Sequence, residues 1–205
     1  MSLPKRIALA TLDGGAGKTA IAYALAVDLN FYLISNDDSI IEQAYDGAKI
    51  MENPILRDET VYDFGGFADA NVINIIKECD WVIVPAINDQ TSIMKANNTI
   101  KELSQYNSNF LVIGTRFKKD SYFQSIKEGI QDAHPDIPVM PLRDALIFKD
   151  IQEYGVGVLD MEREDAKLRH VYRNSIREYK EIIKFLLGEE LAEQLFMVRA
   201  EKGDE

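Results

Sequence analysis

The segment IALATLDGGAGKT, from Ile7 to Thr19, constrains the fold of this chain more than any other. An apolar run with the character of a buried strand breaks into a glycine-rich turn, and a helical pattern starts where the turn ends. Glycines permit positive φ and let successive backbone N–H groups close on an anion. The unpaired N–H groups of the helix start add partial positive charge. The arrangement predicts a phosphate cradle of Gly14, Gly15, Ala16 and Gly17, with Lys18 reaching the β- and γ-phosphates and the Thr19 hydroxyl holding Mg²⁺. Leu12 stands where the orthodox loop has its first glycine, so this is a variant of that loop.

Short apolar runs then alternate with helical patterns. Strands are expected at 6–12, 31–35, 60–63, 81–85, 110–114 and 137–140, and helices at 18–29, 71–78, 91–105 and 122–133. A polar-rich helical part follows from about 165 to 198, and residues 200–205 are expected to fray. The alternation predicts one α/β P-loop domain over residues 1–205, with a mostly parallel twisted sheet and helices on both faces.

A net charge of −11 argues against a protein that coats nucleic acid with its whole surface, but it leaves room for a local basic patch. The single cysteine, Cys79, excludes an internal disulfide and a cysteine-based zinc site, and is expected to be a small buried hydrophobe. His134 and His170 fall in different elements, so a shared metal is not expected. Asp13 ends the first apolar run too early for a signal peptide, and no run approaches the roughly 20 apolar residues that span a bilayer. A cytoplasmic protein is expected.

The pattern G-G-x-G-K-T after the first strand resembles the deviant Walker A motif of the ParA/MinD ATPases, which partition plasmids and chromosomes or position other machinery. Further segments are similar in order. YLISND (32–37) resembles the family's second strand with its D-x-D ending, and VYDFGG (61–66) its third strand and switch segment. DWVIVP (80–85) resembles the fourth strand, and PLRDALIFKDIQEYG (141–155) the late segment that closes over the base. The resemblance covers most of residues 5–159 and implies an ATPase that binds ATP and Mg²⁺ and dimerises on the nucleotide. It implies roles for Lys18 at the phosphates, Asp63 at Mg²⁺ together with Thr19, and Asp37 at the attacking water. The lesser alternatives are a turn cap for Asp63 and, for Asp37, the cap of a helix near 39–44. Thr115, Arg116 and Pro141 are expected near the adenine; no N-K-x-D guanine signature is present.

Two positions depart from the family pattern. Ser35 replaces the first aspartate of D-x-D, and Asp13 replaces a lysine that in the family crosses to the partner's phosphates. A carboxylate facing an anionic site predicts slow hydrolysis, a rearranged dimer, or a side chain turned away to cap the loop.

From 167 to 184 there are six Lys/Arg against two acids. On one continuous helix, Arg169, Arg173, Arg177, Lys180 and Lys184 form a stripe that could follow a DNA backbone, or a solvated face with Glu178 and Glu181 as partners. The acidic group Glu162, Glu164 and Asp165 reads as a solvated helix start. The end of the chain, with Glu189, Glu190 and Glu193, lacks the basic amphipathic helix by which the MinD branch lies on membranes, so no stable membrane anchor is expected. The favoured function is a ParA-like ATPase of plasmid or chromosome segregation, working as a homodimer with non-specific DNA and a centromere-binding or other adaptor protein. The alternative is a weakly hydrolysing, nucleotide-gated recruitment module in conjugative transfer or polar localisation.

Overall fold

The computed structural model describes residues 3–37, 39–66, 69–143, 146–164 and 166–201. Asp38 of the acidic turn, Asp144 and Ala145 of the late segment, Asp165 of the acidic group and residues 202–205 of the expected frayed end lie outside the described residues.

β1 (Arg6–Ala10) shows how the sheet is built. Ile7 and Leu9 enter one apolar core, while Ala8 and Ala10 enter the other. A strand covered on both faces needs apolar residues at every position, which explains the unbroken run. Its companions are β2 (Tyr32–Ser35), β3 (Ala48–Ile50), β4 (Thr60–Phe64), β5 (Trp81–Ile87), β6 (Phe110–Thr115) and β7 (Val139–Leu142). The order is β3-β2-β4-β1-β5-β6-β7, and every pairing is parallel.

Helices cover both faces. α1 (Lys18–Leu29), α6 (Ile147–Tyr154), α7 (Val158–Glu164), α9 (Arg173–Leu187) and α10 (Glu189–Glu201) contribute to the first core. α3 (Ala70–Lys77), α4 (Gln90–Leu103) and α5 (Asp120–Gln131) contribute to the second. α2 (Ile41–Ala44) and α8 (Ala166–Val171) are short connectors. The chain builds β2, β3 and β4 on one side of β1, then crosses to β5, β6 and β7 on the other. A crevice forms at the carboxyl ends of the strands where the order reverses.

Three features differ from the sequence expectation. The sheet is parallel throughout the described residues. β3 is an additional edge strand, three residues long and too short to show a period. The C-terminal helical part begins at Val158 and comprises α7 to α10 among the described residues, and the helix expected to carry 167–184 is divided at Tyr172 between α8 and α9. Gly188 has φ 83°, which ends α9 sharply.

The far end of α1 is locked to this C-terminal part. The fully buried Asp28 carboxylate accepts from the N–H groups of Val158 at 3.1 Å and Leu159 at 3.2 Å, the first two of α7. A Cβ on Gly157 would lie 2.0 Å from Asp28 Oδ1, so only glycine fits there. Arg199 of α10 donates to the carbonyls of Val27 and Asp28 and pairs with Asp160 at 3.2 Å. Burial pushes the Asp28 carboxyl up to about 7, although the Tyr179 hydroxyl, Arg199 and the α7 N–H groups pull it back. The Tyr179 hydroxyl stands beside the carboxylate without good hydrogen-bond geometry, so it acts there as an electrostatic neighbour.

Candidate nucleotide site

Strand alternation carries Asp63 into the crevice. In β4, Tyr62 and Phe64 enter the second core and Val61 the first, so Asp63 faces the α1 layer. Its register opposite Leu9 sets it beside the end of β1, where the glycine loop departs. The carboxylate is fully buried and both oxygens are engaged. Lys18 Nζ donates to Oδ1 at 2.7 Å and Thr19 Oγ1 donates to Oδ2 at 2.7 Å. Both donors are in the first turn of α1, so the loop's end is fastened to the strand's end.

Ser35 belongs to the same cluster. It pairs in register with Asp63, and its hydroxyl lies 3.1 Å from the Asp63 carbonyl and 3.3 Å from Oδ2. One hydroxyl proton serves only one of these at a time. The Asp37 N–H donates to Ser35 Oγ at 3.1 Å, which fixes the turn after β2. Asn36 accepts from the Gly65 N–H at 2.7 Å, lacing that turn to the one after β4. A Cβ on Gly65 would lie 2.8 Å from the Asp37 carboxyl, so glycine permits this close approach.

The loop has the backbone of an anion cradle. Gly15 and Gly17 have φ of 95° and 86°, angles that L side chains resist. Gly17 is the N-cap of α1, and no side chain caps this helix. By contrast Asp69 and Asp89 cap α3 and α4 with carboxylates. The leading N–H groups of α1 are thus uncapped by side chains at the end that faces the loop. A cavity of about 480 Å³ opens over the loop, lined by Asp13, Gly14, Gly15, Lys18, Thr19 and Asp37. The hard oxygens of Thr19 and Asp63, the loop N–H groups and Lys18 fit a magnesium-bound polyphosphate.

A second cavity of about 450 Å³ adjoins the first, lined among others by Gly17, Thr115, Arg116, Leu142, Phe148 and Lys149. Thr115 and Arg116 are thus together, whereas Pro141 lines a separate groove with Phe117 and Phe123. Alternation along β7 turns Leu142 into the first core and Pro141 away from it. Thr115 is buried and its hydroxyl donates to the Ala16 carbonyl at 2.8 Å, so it positions the loop.

Asp13 is turned onto α4. Its carboxylate meets Lys95 Nζ at 3.1 Å and is almost buried, with 11% of the side chain exposed. The backbone is stitched at the same place, because Leu12 N–H donates to Thr99 Oγ1 at 3.2 Å. Lys95 escaped the sequence reading, which met Ser35 only as a departure from D-x-D. Ser35 could have been found from its place opposite Asp63 at two strand ends; the approach of Lys95 to Asp13 leaves no local signal.

The basic residues divide. Arg169 donates to the carbonyls of Glu162 and Arg163, Lys180 pairs with Glu162 at 2.7 Å, and Lys184 pairs with Glu189 and Glu193 at 2.8 Å each. Arg173 and Arg177 are exposed and have no such partner among the described residues. The expected partner Glu178 is instead buried against Arg143, at 2.6 Å. Glu162 lies late in α7 rather than at a helix start, because the helical part begins earlier than its polar composition suggests. Cys79 is buried, and burial pushes its thiol up to about 12.

No protein-family model matches the sequence, and no curated protein matches it. Solved structures do. A substituted McdA of Cyanothece in complex with ATP superposes with a TM-score of 0.61 at 14% identity, covering 92% of this chain and 98% of that one. The MinC:MinD cell division complex of Aquifex aeolicus gives 0.61 at 14%, covering 87% and 96%. A protein of Borrelia burgdorferi described as a plasmid partition protein and bound to AMPPNP gives 0.56 at 15%, covering 89% and 98%. The chain has the ParA/MinD fold. In the ParA/MinD fold of this chain, the loop, Asp63 and the two adjoining cavities share one end of the sheet. Among the described residues no helix is long and apolar enough to cross a membrane.

Proposed function

We propose that this chain is a ParA/MinD-type ATPase that binds Mg-ATP on Gly14–Thr19 and dimerises in response. One observation carries the reading: Lys18 and Thr19 converge on the buried Asp63 beneath a loop whose glycines hold left-handed angles. Thr19 and Asp63 would hold Mg²⁺, which would supply neutralisation of the phosphate charge. Lys18 exchanges Asp63 for the phosphates, and Asp37 orients the attacking water. The cavity beside Thr115 takes the base. The solved relatives with ATP and AMPPNP, and the one with MinC, support a nucleotide switch that works through a partner protein. In segregation, non-specific DNA contact would fall chiefly on Arg173 and Arg177, whose charges are not already matched by carboxylates.

A second reading is favoured by Asp13. With a carboxylate at the loop's mouth, held by Lys95, the chain on this reading binds ATP, scarcely cleaves it and recruits a partner. Light scattering without nucleotide and with ADP, ATP and a non-hydrolysable analogue, alongside phosphate release, separates the two. A dimer with ATP and the analogue, with turnover, supports the switch. A monomer with ATP bound and uncleaved supports recruitment, and no nucleotide binding removes both.

A further inference from the structure

Arg116 combines features that the base-site reading does not use. It follows Thr115 at the end of β6 and adopts a left-handed φ of 54°, an uncommon angle for a long side chain. Its Nη1 lies 4.0 Å from where a Cβ on Gly15 would sit, so the guanidinium overhangs the middle of the glycine loop. It lines both cavities. It is exposed, and among the described residues it has no hydrogen-bond or ion-pair partner. Over the loop the other cations are engaged, Lys18 by Asp63 and Lys95 by Asp13, while the exposed Lys149 lines only the second cavity.

We propose that Arg116 is the cation this chain sets against the phosphate chain of the nucleotide, at a mouth where Asp13 brings the opposite charge. The inference rests on the nucleotide reading and deepens it by moving Arg116 from the base to the phosphates. Thr115 supplies the positioning. Its hydroxyl pins the end of β6 to the Ala16 carbonyl, and the left-handed residue that follows returns its side chain over Gly15. A planar guanidinium offers several donors and can bridge two phosphate oxygens. The strained angle is then the local cost of holding that charge over the loop.

The test uses the full chain as wild type, Arg116→Gly and Arg116→Lys, titrated with ATP, ADP and AMP in Mg²⁺, with thermal unfolding measured without nucleotide. Glycine relieves the backbone, so Arg116→Gly should melt higher than wild type. The same variant should bind ATP and ADP roughly ten- to a hundredfold more weakly, with AMP nearly unchanged. Arg116→Lys should keep part of the ATP affinity. Equal losses for all three nucleotides would place Arg116 at the base and overturn the proposal; so would unchanged ATP affinity. A wild-type chain that binds none of the three removes the nucleotide reading itself, and this inference with it.

Discussion

The two ends of α1 each meet a fully buried aspartate, and the surroundings of the two carboxylates differ in kind. At the N-terminal end, Asp63 meets the Lys18 ammonium and the Thr19 hydroxyl, both beside an open cavity. At the other end, Asp28 meets backbone N–H groups of α7 and is closed over by Gly157. The nearest cation, Arg199, is already engaged by Asp160 and two carbonyls. A side-chain ammonium at a cavity mouth can change partners; backbone amides in a packed interface cannot. The first aspartate is therefore placed for exchange with a ligand, and the second for fastening the C-terminal helices to the sheet.

The strongest way to break this comparison is at the exchanging end. Lys18→Ala leaves Asp63 buried without its cation, which should cost about 3–5 kcal/mol in urea unfolding of the nucleotide-free chain. It should also weaken ATP roughly a hundredfold or more. Adding Asp63→Asn should recover much of the stability and none of the binding. If Lys18→Ala unfolds like wild type, the pair is not the tension that a ligand resolves.

At the fastening end the expected signature is a pH dependence. The Asp28 carboxyl in the folded chain is raised from 3.8 to about 7. The folded state therefore keeps a proton that the unfolded state releases across that window. Stability from this group is fully present below the lower value, falls as pH rises toward the upper one, and levels off above it. The whole span is at most about 4 kcal/mol. Denaturation at a series of pH values should show this fall in the wild type and a flatter profile in Asp28→Asn. A profile that rises over the same window, unchanged by Asp28→Asn, would mean that the carboxylate stays ionised on the amides of α7.

The two ends were not equally legible in the sequence. The N-terminal end announces itself, because strand, glycines, Lys18 and Thr19 are contiguous and each residue type has a local mechanical reason. Asp63 was also readable, since a carboxylate at the end of an apolar run lies at a strand's carboxyl end. Asp28 was not, because its partners Val158 and Leu159 are apolar residues that contribute only their backbone. The basic run on 167–184 misled in a different way. The helical period was read across Tyr172, where the structure breaks between α8 and α9, and the carboxylates that face Lys180 and Lys184 come from α7 and α10. Periodicity orders residues within one element and is silent about which element packs beside it.

The Asp13–Lys95 pair offers the smallest and sharpest test, because its two halves should act in opposite directions. Asp13 is almost buried while 36% of the Lys95 side chain is exposed, so solvent screens the pair and its loss should cost about 1 kcal/mol or less. At the loop's mouth the consequence is electrostatic. Asp13→Asn leaves Lys95 as an unmatched cation, which should tighten ATP by roughly two- to fivefold. Lys95→Ala leaves Asp13 as an unmatched anion, which should weaken ATP by roughly the same factor. Both effects should shrink as salt is raised, and the double variant should return toward wild type. If both single variants weaken ATP alike, the pair acts by holding the loop against α4 through Leu12 and Thr99, and its charges do not reach the phosphates.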